Sequence, residues 1–424
     1  MEEMQDIQVL VCDDSALMRN LISRIVDSTA GMKTVATAMN GRFALEKTPN
    51  VKPDAILLDI EMPEMTGVEF LREARKRGWD TPVIILSSIA TKGAAVTMEC
   101  LELGASDFIT KPNGSISTNI ADVSSQIVEK IASYGGAYAR LNGKNVYPPD
   151  FFNQQIKLKE AEIAVAKKKE AEHKPLKPVR PVLVTSAEPK EEEDTLSTQA
   201  ATKPVPSFQP TLWKPRATKQ PAKVTALKMP GKIEVIAIGI STGGPNALRE
   251  VFPNITPDCP VPILVVQHMP AGFTKEFANS LNKICPLTVT EATDMEKLEP
   301  GHIYIAPGDY HIYVEKMGLN NVVRLSQDDL CNGHRPSADI LFDSVAKLYQ
   351  NHALGVIMTG MGRDGALKIT EMRRQGAWTL GQDEKTSIVY GMPRVAWELG
   401  GVQKQVALGN MADEINKLIK EHCF

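Results

Sequence analysis

The stretch Ile233–Gly244, IEVIAIGISTGG, decides the reading of the chain. Its β-branched and apolar run Ile233–Ile238 predicts a short buried strand. That strand runs straight into Gly239-Ile240-Ser241-Thr242-Gly243-Gly244, and Pro245-Asn246-Ala247-Leu248 then opens a helix. Glycines on both sides of one serine permit a tight strand-to-helix turn that holds the Ser241 hydroxyl clear of the backbone. The N–H groups at the helix start can face a developing oxyanion. A bare G-x-S-x-G is equally a structural turn, so the rest of the chain has to decide.

Outward from this turn, two further apolar strands end in polar groups. Pro262–Gln267 ends in His268-Met269-Pro270, and Ala353–Met358 ends in Thr359-Gly360-Met361-Gly362-Arg363-Asp364-Gly365-Ala366. Ser241, His268 and Asp364 therefore arise at three strand ends of one parallel sheet, which suits a nucleophile, a general base and the group that orients the base. An α/β-hydrolase order would need a histidine after Asp364, and only His422, near the terminus, follows it. A Walker loop would need a lysine where Pro245 stands, and a dinucleotide fingerprint a glycine where Ser241 stands. His302, His311 and His334 read as structural or substrate-edge residues.

The first ~135 residues repeat an alternation of strand and helix. Strands are expected at Val9–Cys12, Val35–Ala38, Ala55–Leu58, Val83–Leu86 and Phe108–Thr110, with helices starting near Ala16, Arg42, Val68, Ala94 and Asn119. This pattern predicts a parallel sheet covered on both faces. Sites in such sheets form beyond the carboxyl ends of the strands, and there stand Asp13, Asp14, Asp59, Ser87 and Lys111. Any one Asp reads as a helix cap. Three carboxylates on one edge repel one another unless a hard cation sits among them, and oxygen ligands with room for water suit Mg²⁺. The Lys111-Pro112 bond is a candidate cis peptide.

Between residues 145 and 230 the periodicity fails. Twelve of the 28 prolines fall there, with a Lys/Glu/Ala-rich candidate helix at 154–172 and potential partner anchors Phe208 and Trp213. Such composition predicts a flexible linker. The expected organisation is 1–135, a linker over 136–230, and 231–424: two doubly wound parallel-sheet domains of the α/β class, flavodoxin-like and then Rossmann-like. A formal net charge of −3 gives no general attraction to nucleic acid. The six cysteines include no C-x-x-C pair, and no apolar run of ~18 residues spans a bilayer. The acidic start MEEMQD is unlike a signal peptide. A cytoplasmic location, without nucleic acid or membrane insertion, is expected.

With these motifs in place, residues 1–135 resemble a two-component receiver domain. The resemblance implies Asp59 as phosphoacceptor, a Mg²⁺ site of Asp14, Asp59 and the Glu61 carbonyl with Asp13 nearby, Ser87 as the hydroxyl that senses the phosphoryl group, and Phe108 as the aromatic that moves with it. Lys111 would neutralise the phosphoryl charge. The C-terminal region resembles the chemotaxis protein-glutamate methylesterase catalytic domain at Gly239–Gly244, Gln267–Pro270, Ala306–Asp309, Arg335–Asp339, Thr359–Ala366 and Tyr390–Pro393. This resemblance implies hydrolysis of glutamate γ-methyl esters on chemoreceptor cytoplasmic helices, with glutamine deamidation as a second activity. It also implies an oxyanion site near Thr242 and Met361, no cofactor at the esterase site, and a sensor histidine kinase as phosphodonor. In that family the unphosphorylated receiver is held to cover the esterase site. The linker here is longer than the connection usual in the family, and a flexible tether of that length lowers effective concentration roughly 14-fold, which predicts a partly open resting state. Two rivals remain: a receiver fused to a hydrolase of small metabolites, and a response regulator that binds DNA or acts as a phosphate sink.

Overall fold

Three adjacent strands carry the Ser241, His268 and Asp364 loops, as the sequence pattern requires. The computed structural model describes residues 4–88, 91–111, 116–156, 158 and 220–423. Met1–Ile156 and Thr218–Phe424 form one unit; Lys157–Ala217 form a second, and all of it but residue 158 lies outside the described residues. So do the Lys111-Pro112 bond, Phe208, Trp213 and nearly all of the 154–172 segment.

The receiver is built from β1 (Ile7–Cys12), α1 (Ala16–Asp27), β2 (Met32–Ala38), α2 (Gly41–Val51), β3 (Ala55–Asp59), α3 (Gly67–Lys76), β4 (Val83–Ser87), α4 (Thr91–Glu102), β5 (Asp107–Thr110) and α5 (Ile116–Lys130). Its strands pair in the order β2-β1-β3-β4-β5, all parallel. Every residue of β3 (AILLD) and β4 (VIILS) is buried, because helices cover both faces. Helix starts follow local capping chemistry: Ser15 caps α1, Asn40 caps α2, and Thr66 with Glu69 makes a capping box on α3.

The packed chain does not stop at residue 135. Helix α5 passes through a π-helical turn, Ile131–Gly135, into α6 (Gly136–Leu141). Residues 144–156 then return across the receiver. Gln5 N–H bonds the Asn145 carbonyl, Lys144 pairs with the buried Asp54 at 2.8 Å, and Tyr147 stacks on Phe151 with centroids 4.0 Å apart. Phe151, Phe152 and Ile156 are buried, each stabilising the packing by about 1.5–3 kcal/mol. The segment expected as linker from residue 136 onward thus contributes its first part to the receiver's core. Asp150 also pairs with Arg394 of the C-terminal domain at 2.8 Å.

The C-terminal domain runs β6 (Val235–Ile240), α7 (Gly244–Val251), β7 (Ile263–Gln267), α8 (Phe273–Asn282), β8 (Thr288–Glu291), β9 (His302–Ile305), β10 (His311–Met317), β11 (Asn320–Ser326), α9 (Ala338–Tyr349), β12 (Ala353–Ile357), α10 (Ala366–Gln375), β13 (Trp378–Gln382), α11 (Met392–Glu398), β14 (Lys404–Val406) and α12 (Leu408–His422). Seven parallel strands pair in the order β14-β13-β12-β6-β7-β9-β8, while β10 and β11 form a separate antiparallel ribbon. The chain leaves central β6 toward β7 and later comes back to β12 on its other side. The carboxyl ends of β6 and β12 thus flank a topological switch point, where open α/β sheets place their sites.

Candidate active site

The turn after β6 is shaped by backbone demands. Gly243 sits at φ +83°, and a side chain there would meet Ile388 and Thr359. Across the switch point, a Cβ on Gly360 would stand 2.7 Å from the Ser241 Cβ, so only glycine lets the two loops approach. The Ser241 N–H bonds the Thr359 carbonyl at 2.9 Å. From the other side, the Gln267 amide donates to the Ser241 and His268 carbonyls, both at 3.1 Å, and ties the β6 and β7 loops together.

On this frame Ser241, His268 and Asp364 make a continuous chain. Ser241 Oγ lies 3.0 Å from His268 Nδ1, and His268 Nε2 lies 2.8 Å from Asp364 Oδ2. Asp364 is 1% exposed and accepts four further hydrogen bonds: Ser337 Oγ at 2.6 Å, Ala338 N–H at 2.6 Å, Asn332 Nδ2 at 2.9 Å and Asp339 N–H at 3.3 Å. Burial alone would raise its pKa. The hydrogen bond and charge of His268, with Ser337 and Asn332, outweigh burial and hold the carboxyl well below the usual range. An ionised Asp364 can only accept, so Nε2 carries the proton and Nδ1 presents its lone pair to the Ser241 hydroxyl. His334 stacks on His268, with centroids 4.0 Å apart and planes at 14°. Burial and the neighbouring His268 push its pKa down to about 4, which leaves it neutral at pH 7.

Thr242 and Met361, expected near the oxyanion, flank Ser241 and Gly360 respectively in the two apposed turns. The sequence pattern does not single out Asn332 and Ser337, which cradle Asp364. Ser337 lies within the resemblance segment Arg335–Asp339, but nothing local shows that it turns toward a carboxylate 27 positions away. His302 packs against Tyr304 and bonds Thr290, and the buried His311 bonds the Asp329 carbonyl, so both serve structure. Cys331, Asp339 and Asp364 offer ligand atoms within 4.8 Å of one another. Both Asp364 oxygens, however, are already filled by protein donors.

The receiver's acidic edge also assembles. Asp13 and Asp59 are 0% and 5% exposed, and Lys111 Nζ lies 2.8 Å from Asp13 Oδ2 and 2.7 Å from Asp59 Oδ2. Asp13, Asp14 and Asp59 bring one oxygen each within 4.8 Å of one another, an all-oxygen set that fits Mg²⁺. Burial raises the Asp59 pKa against the opposing pull of Lys111. Ser87 Oγ contacts Thr97 Oγ1 of α4 at 2.7 Å. Glu61, two residues beyond Asp59, is exposed.

Residues near the two sites touch across the domain boundary. Phe108 stacks on Phe273, at the start of the helix that follows the His268 loop, with centroids 4.9 Å apart. Asn246 donates to the Ala105 and Ser106 carbonyls, both at 3.2 Å, and Arg249 pairs with Glu102 at 3.3 Å. Thr242 Oγ1 donates to Glu129 Oε1 of α5 at 2.6 Å. The receiver therefore sits against the residue next to Ser241.

A receiver joined to a doubly wound domain with a Ser–His–Asp hydrogen-bond chain is the build of a receiver-controlled hydrolase. Residues 9–118 match the response regulator receiver domain, and residues 236–415 match the CheB methylesterase family. A protein-glutamate methylesterase/protein-glutamine glutaminase of Treponema denticola is 51% identical over 99% of this chain and 100% of its own length. A protein of the same name from Treponema pallidum is 44% identical over 98% of each. The crystal structure of the Thermotoga maritima CheB methylesterase catalytic domain covers 44% of this chain and 98% of that domain, at 37% identity and a TM-score of 0.43. The chain belongs to the protein-glutamate methylesterase/protein-glutamine glutaminase family. No helix among the described residues is long and apolar enough to cross a membrane.

Proposed function

We propose that the chain hydrolyses γ-methyl esters of glutamate side chains on chemoreceptor cytoplasmic helices, and deamidates glutamines at such positions, under control of receiver phosphorylation. The observation that carries this reading is the Ser241–His268–Asp364 chain at the carboxyl ends of three adjacent strands. Ser241 Oγ attacks the ester carbonyl while His268 Nδ1 takes its proton, and Asp364 steadies the imidazolium through Nε2. Backbone N–H groups of Thr242 and Met361 face the oxyanion. His268 returns the proton to the leaving methanol, then activates water against the glutamyl ester on Ser241.

In the receiver, Asp59 is the phosphoacceptor, with a sensor histidine kinase as donor. Asp13, Asp14, Asp59 and the Glu61 carbonyl would hold Mg²⁺, which when bound offsets the charge of the phosphoryl oxygens. Lys111 neutralises the phosphoryl group from the opposite side, Ser87 turns from Thr97 to bond it, and Phe108 moves with that turn. This coupling puts the Phe108–Phe273 stack between the two chemistries.

Methanol release from methylated receptor membranes tests the esterase. Ser241→Ala is expected to lower it by about 10⁴ or more, since triad members act as a unit; retention of most activity overturns the assignment. Small esters hydrolysed in place of receptors would favour the small-metabolite hydrolase. For the receiver, Asp59→Ala and removal of divalent metal should each abolish labelling by a phosphodonor.

A further inference from the structure

We propose that receiver helix α5 occupies the esterase site as a product mimic, with Glu129 standing where the glutamate side chain of a bound substrate helix stands after hydrolysis. The proposal rests on the esterase reading above and adds how the substrate is held: as an intact helix whose glutamyl side chain reaches the residue beside Ser241.

Four observations converge on it. The contact group is a γ-carboxyl, the same group that the proposed reaction releases, and it accepts from Thr242 Oγ1 at 2.6 Å. It is presented from the second-last residue of a 15-residue α-helix, the secondary structure of the proposed substrate segment. Its neighbour Lys130 is committed to Asp107 at 2.7 Å, so Glu129 faces the esterase with a hydroxyl rather than a cation as its hydrogen-bond donor. A carboxylate in such a contact is costly to desolvate. Burial raises its pKa, Asp107 adds to the rise, and Lys130, Thr242 and His268 oppose it. A docking face made only to close the site would be cheaper with an apolar or neutral residue here. A pocket shaped for a glutamyl group explains the choice, and the flanking Asn246 and Phe273 contacts then set the helix across the mouth.

Two consequences are measurable in the full chain. First, inhibition by the receiver is competitive with the receptor helix. Without phosphodonor, Glu129→Ala should lower the apparent KM for methylated receptor about tenfold and leave kcat nearly unchanged, the scale of one hydrogen bond to a charged group. Phosphodonor labelling of Asp59 checks that the variant's receiver remains folded. Second, Glu129→Gln places a substrate amide in the site. Water should then add to the side-chain acyl carbon as the C–N bond breaks and ammonia leaves, which restores a glutamate at position 129 within the chain. Peptide mass spectrometry reads this conversion, and a Ser241→Ala, Glu129→Gln double variant should keep its amide.

An unchanged apparent KM in Glu129→Ala overturns the mimic. So does an amide that persists in Glu129→Gln while the same chain deamidates receptor glutamines. If the phosphorylated wild-type chain releases neither methanol nor ammonia from receptors, the esterase reading itself fails, a result distinct from both.

Discussion

The two sites place a buried aspartate at the carboxyl edge of a parallel sheet, yet their environments push these carboxyls in opposite directions. Asp364 accepts five hydrogen bonds, and its pKa falls despite burial. Asp59 accepts from the Ile60 N–H and pairs with Lys111, and burial wins, so its pKa rises. The difference matches the proposed roles. An aspartate that must hold an imidazole in one tautomer is saturated with donors and kept charged. An aspartate that must attack phosphorus keeps its electron pairs less engaged, and a cation can still join it. Burial is common to both; the donors and charges around each carboxyl decide the sign.

The largest effect should separate these carboxylates by activity. Asp364→Asn is expected to lower methanol release by about 10³–10⁴, because an amide can offer N–H to Nε2 and favour the wrong imidazole tautomer. Asp59→Asn should leave the unphosphorylated esterase rate unchanged and remove its response to phosphodonor. If both substitutions cut the basal rate alike, the division of roles is wrong.

A smaller effect tests the cradle. Asn332→Ala removes one of the donors to Asp364 and should lower kcat about tenfold, the scale of a hydrogen bond to a charged group. Its pH–rate profile should shift along with kcat, since Asp364 acts through His268. A loss of stability without a shifted profile would make Asn332 purely structural. Smaller still is the link between the sites. Phe108→Ala forfeits the stack on Phe273 and should raise the unphosphorylated rate about fivefold, for an aromatic pair worth about 1 kcal/mol. A basal rate at the wild-type value would leave the stack without a part in docking.

How much of this was legible in the sequence follows from the range of each determinant. Strands such as Val83–Ser87, apolar up to its closing serine, and Ala353–Ile357 are buried on both faces, so their ends, and the residues placed there, could be located one strand at a time. The ribbon of β10 and β11 lies outside both sheets and lacks that signal. Residues 136–156 read as linker because Pro148 and Pro149 break periodicity, whereas their packing depends on a pocket around Gly31, over a hundred positions earlier. Asn332 and Ser337 find Asp364 only after the sheet has closed. The Glu129–Thr242 bond spans 113 positions and two domains, and no local pattern announces it.

The final prediction concerns stability, where the opposite pKa shifts have opposite consequences. Asp59 has a folded pKa above its unfolded value near 4. Its favourable contribution is therefore present below pH ~4 and lost as pH rises through the folded pKa, so at pH 7 the ionised group costs the receiver stability. Asp59→Asn removes that cost and leaves Lys111 paired with Asp13, so the receiver should melt higher at pH 7. Asp364 has a folded pKa well below its unfolded value, so its contribution is present above pH ~4 and lost only as pH falls through the depressed pKa. Asp364→Asn should accordingly lower the melting temperature of the C-terminal domain at pH 7. Calorimetry of the full chain at pH 7 and pH 5 reads both changes. The gain from Asp59→Asn should shrink as pH falls toward the raised folded pKa of Asp59, while the loss from Asp364→Asn should hold between pH 7 and pH 5. Gains and losses that fade together on acidification would mean that the two carboxyls titrate alike, and the contrast in donors and charges would not control them.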